Sequence, residues 1–306
     1  MQSFDPKKDI PDLSGKVIFV TGGNTGLGKQ TILELSKHNP SQIFLGARNK
    51  AKALAAIEDI RNTVPKSAPI TYIAIDLSSF NSIKRAVSEF LSQSDQLHIL
   101  INNAGILDSP ARTTKEGYEA QFGTNHIGTA LLTKLLIPTL RKTAANSSQL
   151  NDVRIINVAS SEETRSPAHN TYDFGKHKTE NAGTPVLVRY GISKLANIHH
   201  ARALSRHYPE ICSVSLHPGT VDTGLKNGIA VSNPLMKPLL PIVGLFSKKV
   251  TDGAKHQLWA AVSPNVKSGE FYHPIGITGQ GSKQSGDRAL EDALWNWTEK
   301  ELESHA

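Results

Sequence analysis

Thr21-Gly22-Gly23-Asn24-Thr25-Gly26-Leu27-Gly28 is the stretch that decides how this chain folds. The residues before it, Lys16 to Thr21, form a short β-branched and aromatic run that reads as a buried strand. Those after it, Lys29 to His38, carry Ile32, Leu33 and Leu35 as an apolar stripe and meet a stop at Asn39-Pro40, which reads as a helix. Between a strand and a helix, glycines let the backbone turn tightly and approach a pyrophosphate, whose charge suits the positive end of the helix. Gly22, Asn24, Thr25, Gly26, Leu27 and Gly28 are therefore candidates for binding a dinucleotide.

Outward from this turn the chain alternates. Gln42 to Leu45, Ile70 to Ile75, Leu97 to Ile101, Val153 to Val158 and Ile211 to Leu216 read as further strands, with Glu270 to His273 as a seventh. Lys50 to Arg61, Asn81 to Leu91, Tyr118 to Leu140, Tyr190 to His207, a stretch near Ala254 to Val262, and Asp287 to Glu303 read as helices. Strands alternating with helices predict an α/β fold: a three-layer, doubly wound parallel sheet, Rossmann-like, with helices on both faces. No linker composition divides residues 1–306, so one domain is expected. Two irregular segments break the rhythm, 161–188 before the Tyr190 helix and 221–250 after the sixth strand. Trp295 and Trp297 on the last helix read as packing anchors.

The strand ends supply the next candidates. An NAD-preferring site places an acid at the end of the second strand; here Ala47 stands there and Arg48-Asn49 follow. A guanidinium suits a 2′-phosphate and can stack on adenine, which points to NADP(H). Asp76-Leu77 ends the third strand as a contact for adenine. Asn103, Ala104 and Gly105, after Asn102, would line the adenosine and ribose crevice.

Tyr190 and Lys194 stand four residues apart in Tyr190-Gly191-Ile192-Ser193-Lys194. On a helix they share a face, with Cβ atoms about 5–6 Å apart. A neighbouring ammonium favours the tyrosinate and lowers a phenol pKa of about 10, which makes a general acid or base.

With these motifs in this order, the chain resembles the short-chain dehydrogenase/reductase family over roughly residues 14 to 275. The resemblance rests on Thr21-Gly22-x-x-x-Gly26-x-Gly28, Asp76-Leu77, Asn102-Asn103-Ala104-Gly105, Asn125, Ser160, Tyr190-x-x-x-Lys194 and Pro218-Gly219. The wording Asn24-Thr25-Gly26-Leu27-Gly28-Lys29, Ala47-Arg48-Asn49 and Thr124-Asn125-His126-Ile127-Gly128 is similar to the retinol-dehydrogenase-like and WW-domain-oxidoreductase-like branch, which mostly uses NADP(H). The resemblance implies that Tyr190 is the acid/base and also a cofactor contact, and that Lys194 tunes it and binds the nicotinamide ribose. It implies that Ser160, three residues after Asn157, polarises the substrate carbonyl, and that Asn125 holds a proton-relay water. Pro218-Gly219 matches the turn below the nicotinamide, with Thr220, Val221 and Thr223 as further cofactor contacts. Hydride then passes between NADP(H) and a carbonyl or alcohol carbon. Ser160 and Tyr190 are further apart than is usual in the family. Residues 161–188 are thus an insertion expected to wall the substrate pocket or to obstruct the helix packing by which relatives assemble. Residues 221–250 correspond to the substrate lid, and their apolar content implies an apolar small-molecule substrate.

Composition bounds the alternatives. The chain has 306 residues, a net charge of +7 and one cysteine, Cys212, so no internal disulfide can form. Its Lys and Arg are scattered without aromatic interleaving, which argues against nucleic acid. Met1 to Ile10 is polar and is not read as a signal peptide, and Pro234 to Phe246 is too short to span a bilayer. A cytoplasmic, soluble protein is expected, with peripheral membrane contact through the lid and a homodimer left open. No His-Glu-x-x-His pattern occurs, and adjacent His199-His200 face different ways on a helix, so no metal is expected. The alternative from another class is a non-catalytic NADP-binding regulatory or scaffold protein.

Overall fold

The computed structural model describes residues 3–107, 110–147, 152–221 and 249–305. Among these, seven strands form one sheet: β1 (Val17–Thr21), β2 (Gln42–Ala47), β3 (Ile70–Ala74), β4 (Ile99–Asn102), β5 (Arg154–Val158), β6 (Cys212–Leu216) and β7 (Phe271–Tyr272). Their order is β3-β2-β1-β4-β5-β6-β7, and every pairing is parallel. The helices are α1 (Gly26–Leu35), α2 (Lys50–Thr63), α3 (Phe80–Leu91), α4 (Thr129–Ala145), α5 (Val186–His207), α6 (Val250–Val262) and α7 (Arg288–Leu302).

Every residue of β1, β4, β5 and β6 is buried, as a parallel sheet covered on both faces requires. Alternation divides β1 between two cores. Val17 and Phe19 join Phe44 and Phe90 on one face. Ile18 and Val20 join Ile43, Leu45 and Ile32 on the other. The chain winds one way from β1 to β3, then restarts at β4 on the far side of β1. That leaves a crevice at the carboxyl ends of β1 and β4, where open α/β sheets bind ligands.

The strands stand where the sequence places them, within two residues at each end. The helices differ at instructive points. α1 begins at Gly26, three residues early, because the glycine turn contains its first turn. The long pattern from Tyr118 is not one α-helix. It runs from Ala120–Phe122 through a π-helical turn, Gly123–Gly128, into α4. The turn passes so close to the end of β3 that a Cβ on Gly128 would lie 1.9 Å from the Leu77 carbonyl oxygen. π-turns inside α-helices insert one residue and often mark functional sites.

The 161–188 segment begins with a 3₁₀ turn, Ser161–Arg165, and holds another at Lys176–Lys178. It packs on α7 and on the π-turn: Phe174 stacks on Trp297 at 4.6 Å, and His177 on Phe122 at 3.9 Å. Trp295 stacks on His207 at 4.2 Å, so both tryptophans pack as read. This segment therefore covers a face of the long helices as well as adjoining the Tyr190 end of α5. Of the 221–250 segment expected to be a lid, only Val221, Lys249 and Val250 are within the described residues. The apolar run on which membrane contact was expected lies outside them, and no described helix is long and apolar enough to cross a membrane.

Candidate active site

The glycine turn forms a cradle without side chains in the β1–β4 crevice. Gly22 and Gly26 adopt φ of +66° and +52°, a region that favours glycine. A Cβ on Gly28 would lie 2.4 Å from the Gly22 carbonyl oxygen. Thr25 stands at the N-cap of α1, but no side chain caps the helix, so its first N–H groups keep their capacity for an anion. Asn24 is half-buried, and Leu27 reaches toward Gly253 on α6. Asn103 holds the cradle to the β4 end. Its amide donates to the Thr21 carbonyl at 2.8 Å and accepts from Gln257 Nε2 at 2.9 Å. The Ala104 N–H donates to Thr21 Oγ1 at 3.0 Å.

Arg48 is exposed at the end of β2 and makes no ion pair among the described residues. Asn49, expected at the cofactor, is the N-cap of α2, its Oδ1 accepting from the Lys52 N–H at 2.9 Å. The Asp76 carboxylate accepts from the Ser78 N–H and hydroxyl, at 3.0 and 2.7 Å. Both side chains are thus engaged in local turns, so a cofactor contact from them would have to share these bonds or come from backbone. Leu77 is buried beneath the π-turn. On the other side of the crevice, Pro218 is buried, Gly219 has φ +84°, and Thr220 is exposed. Val221 packs against Gly253, where a Cβ would lie 2.4 Å from Val221 Cγ2. Thr223 lies outside the described residues.

Ser160, Tyr190 and Lys194 come together at the end of β5, and all three are buried. Ser160 is the N-cap of the Ser161–Arg165 turn, its hydroxyl accepting from the Glu162 N–H at 3.2 Å. Burial, and then the charge of Glu162, push the Tyr190 phenol well above its ordinary pKa, and the nearby Ser160 hydroxyl acts in the opposite direction. Lys194 Nζ lies 5.5 Å from the centre of the Tyr190 ring and donates to the Val158 carbonyl at 2.9 Å. Burial pushes its ammonium down to about 8. The spacing placed the two side chains on one face, as expected. The expected lowering of the tyrosine by the lysine is corrected: the ammonium points to the β5 end, and desolvation prevails.

Asn125 sits in the π-turn with no exposed surface. Its side chain clips the loop after β4, accepting from the Ile106 N–H at 2.7 Å and donating to the Ile106 carbonyl at 2.9 Å. Its second amide hydrogen goes to Ser193 Oγ at 3.0 Å. Both amide hydrogens of that side chain are engaged in protein contacts, so a relay water would have to bond an oxygen of Asn125. Ser193 was missed by the sequence reading. Its hydroxyl donates to the Tyr190 carbonyl at 2.7 Å and so ties the tyrosine's helix to Asn125. A hydroxyl three residues after a helical tyrosine can make such a bond, but only the fold reveals that an asparagine faces it.

Four histidines lie buried between the insertion, α5 and α7. His126 bonds Thr298 Oγ1 at 2.9 Å, and His199 bonds the Tyr172 hydroxyl at 2.8 Å. His200 faces the rings of His126 and Trp295. Burial lowers His177, His199 and His200 to about 4, and His126 well below its ordinary value. The described residues contain no group of three side chains arranged to hold a metal ion.

Comparison with known proteins agrees with this geometry. The family model described as short chain dehydrogenase matches residues 16–231. The short-chain dehydrogenase/reductase drtF of Aspergillus calidoustus is 37% identical, the match covering 96% of this chain and 95% of that protein. A putative uncharacterized protein from Mycobacterium paratuberculosis has a similar structure, with a TM-score of 0.74 at 23% identity, covering 98% of this chain and 97% of that one. The 3-ketoacyl-(acyl-carrier-protein) reductase of Brucella melitensis, solved in complex with NADH, has a TM-score of 0.62 at 24% identity, covering 86% of this chain and 98% of that one.

Proposed function

Because the chain belongs to the short-chain dehydrogenase/reductase family, we propose that it is an NADP(H)-dependent carbonyl reductase or alcohol dehydrogenase acting on an apolar small molecule. The observation that carries this reading is the gathering of buried Ser160, Tyr190 and Lys194 at the end of β5, on the same edge of the sheet as the glycine cradle. The residues present fit a dinucleotide: side-chain-free backbone at Gly22, Gly26 and Gly28, an uncapped helix end, and an exposed guanidinium at Arg48 where a 2′-phosphate would lie. A reduced nicotinamide bound there supplies the hydride.

The protein's own groups then have distinct tasks. Ser160 turns its hydroxyl to the carbonyl oxygen as negative charge develops. Tyr190 gives that oxygen its proton. A phenol raised by burial is protonated at neutral pH and so carries the proton that reduction requires. Lys194, half-neutral near pH 8, regains a stabilised ammonium when an anionic or hydroxylated ligand shares it with Val158. Asn125 and Ser193 act at one remove, holding the loop of Ala104 to Ile106 against the tyrosine's helix. Residues 221–250 serve as the lid, and 161–188 as an insertion that stiffens the Tyr190 end of α5.

NADP over NAD rests on Arg48 and on the absence of an acid at position 47. Turnover of a panel of apolar ketones and aldehydes with NADPH and with NADH tests the reading. Faster turnover with NADPH is expected. No turnover of any carbonyl with either cofactor, by protein that binds NADPH, contradicts it.

A further inference from the structure

The turn that carries Ser160 is anchored by a carboxyl group for which the reaction has no direct use. Glu163 has no exposed surface, and no basic side chain pairs with it among the described residues. Burying a carboxyl away from any cation is unfavourable unless its oxygens are well bonded. Both oxygens are directed at one residue of a distant loop. Oε1 accepts from the Ser282 N–H at 2.8 Å, and Oε2 from the Ser282 hydroxyl. Ser282 is itself held, its Oγ accepting from the Ser285 N–H at 3.2 Å. At its other end Glu163 reaches back to the serine, its N–H donating to the Ser160 carbonyl at 3.2 Å.

The remaining anchors of this turn act on its middle. His217 Nδ1, just beyond β6, accepts from the Ser161 N–H at 3.2 Å. Gly191 lets the Glu162 carbonyl approach α5, where a Cβ would lie 2.4 Å from that oxygen. The 282–285 loop also holds the far end of the turn, Gln284 Nε2 donating to the Ser166 and Pro167 carbonyls at 3.1 and 2.7 Å, but the Glu163 carboxylate is its contact nearest the Ser160 backbone.

We propose that Glu163 is a positioning residue: by locking the Ser160 turn to Ser282 it fixes the serine hydroxyl against the Tyr190 phenol, where a substrate carbonyl oxygen would be received. The inference rests on Ser160 and Tyr190 being the reacting pair. A displacement of about 1 Å at such a site can cost on the order of 10²-fold in rate.

The test compares Glu163→Ala in the wild-type and Ser160→Ala backgrounds. In the wild type, kcat should fall about 10- to 100-fold with the KM for NADPH unchanged. In Ser160→Ala the same substitution should cost nothing further, because the group it positions is gone. A merely structural glutamate would cost the same factor in both, and that result overturns the proposal. Glu163→Gln and Ser282→Ala each keep the Ser282 backbone bond, so they should fold and lose less; unchanged kcat in both also overturns it. A crystal structure of Glu163→Ala gives a readout independent of turnover. Relative to the wild type, Ser160 Oγ should move away from the Tyr190 hydroxyl by about 1 Å or more, and an unmoved hydroxyl contradicts the proposal. Should the wild-type protein reduce no carbonyl, the functional reading fails and the crystal structure decides this one separately.

Discussion

Lys194 Nζ donates to the carbonyl oxygen of Val158 at 2.9 Å, so the ammonium one helical turn from Tyr190 is tied to the end of β5 and not to the phenol. Its surroundings are otherwise dry, and burial lowers it to about 8. An unfolded lysine titrates near 10.4. Over the interval from about 10.4 down to about 8 the unfolded chain binds the proton that the fold refuses, so stability falls with pH across that window and levels off below it. Lys194→Met removes this cost. The cofactor-free variant is expected to melt higher than wild type at pH 7, by a stability gain on the order of 1–3 kcal/mol, while turnover is lost. A lower melting temperature at pH 7 would show that the ammonium stabilises the empty fold.

The four histidines beneath the insertion respond to acid in the same sense. Unfolded, each titrates near 6.5; in the fold His177, His199 and His200 stay neutral to about 4. Stability is therefore complete above pH 6.5 and declines as pH falls toward 4. His177 stacks on Phe122, and neither of its ring nitrogens has a hydrogen-bond partner among the described residues. His177→Phe keeps the stack and removes both unpaired nitrogens. Its gain in melting temperature should be larger at pH 5 than at pH 7, and equal gains at both would disconnect this ring from the acid sensitivity.

Arg48 is exposed where the second strand ends and pairs with no acid among the described residues. Arg48→Asp exchanges a partner for a 2′-phosphate for a group that bonds ribose hydroxyls and repels phosphate. The ratio of kcat/KM for NADPH over NADH should fall several-fold or more. An unchanged ratio removes the argument for NADP.

Gly191 is the point where α5 and the serine turn touch. A Cβ there would lie 2.4 Å from the Glu162 carbonyl oxygen, and backbone cannot move aside as a side chain can. Gly191→Ala should displace the turn and lower kcat by about 10-fold or more, leaving NADPH affinity intact. Wild-type kcat in a folded variant would mean the turn tolerates the shift.

The fold was legible because its signals are local and periodic. Strand and helix composition, with one glycine turn between them, fixed a parallel sheet whose seven strands appear where they were expected. The pairing of Tyr190 with Lys194 on one face was equally readable, since helical spacing alone dictates it. The direction of the tyrosine's shift was not. It depends on burial and on Glu162, and spacing gives neither. The π-turn at Asn125 was also hidden, because Gly123–Gly128 continues an ordinary helical pattern and only the approach to Leu77 explains the extra residue. Glu163, Ser282 and His217 belong to three distant segments whose contacts no local pattern announces.

The central claim is that the Tyr190 phenol protonates a carbonyl oxygen at the carbon that receives hydride, and Tyr190→Phe tests it most directly. The substitution deletes one hydroxyl and preserves the ring and its packing. Measured against any carbonyl the wild type reduces with NADPH, kcat should fall by about 10²- to 10⁴-fold while the dissociation constant for NADPH changes far less, since the substitution removes at most one of many expected cofactor contacts. A variant that turns over at the wild-type rate would contradict the account.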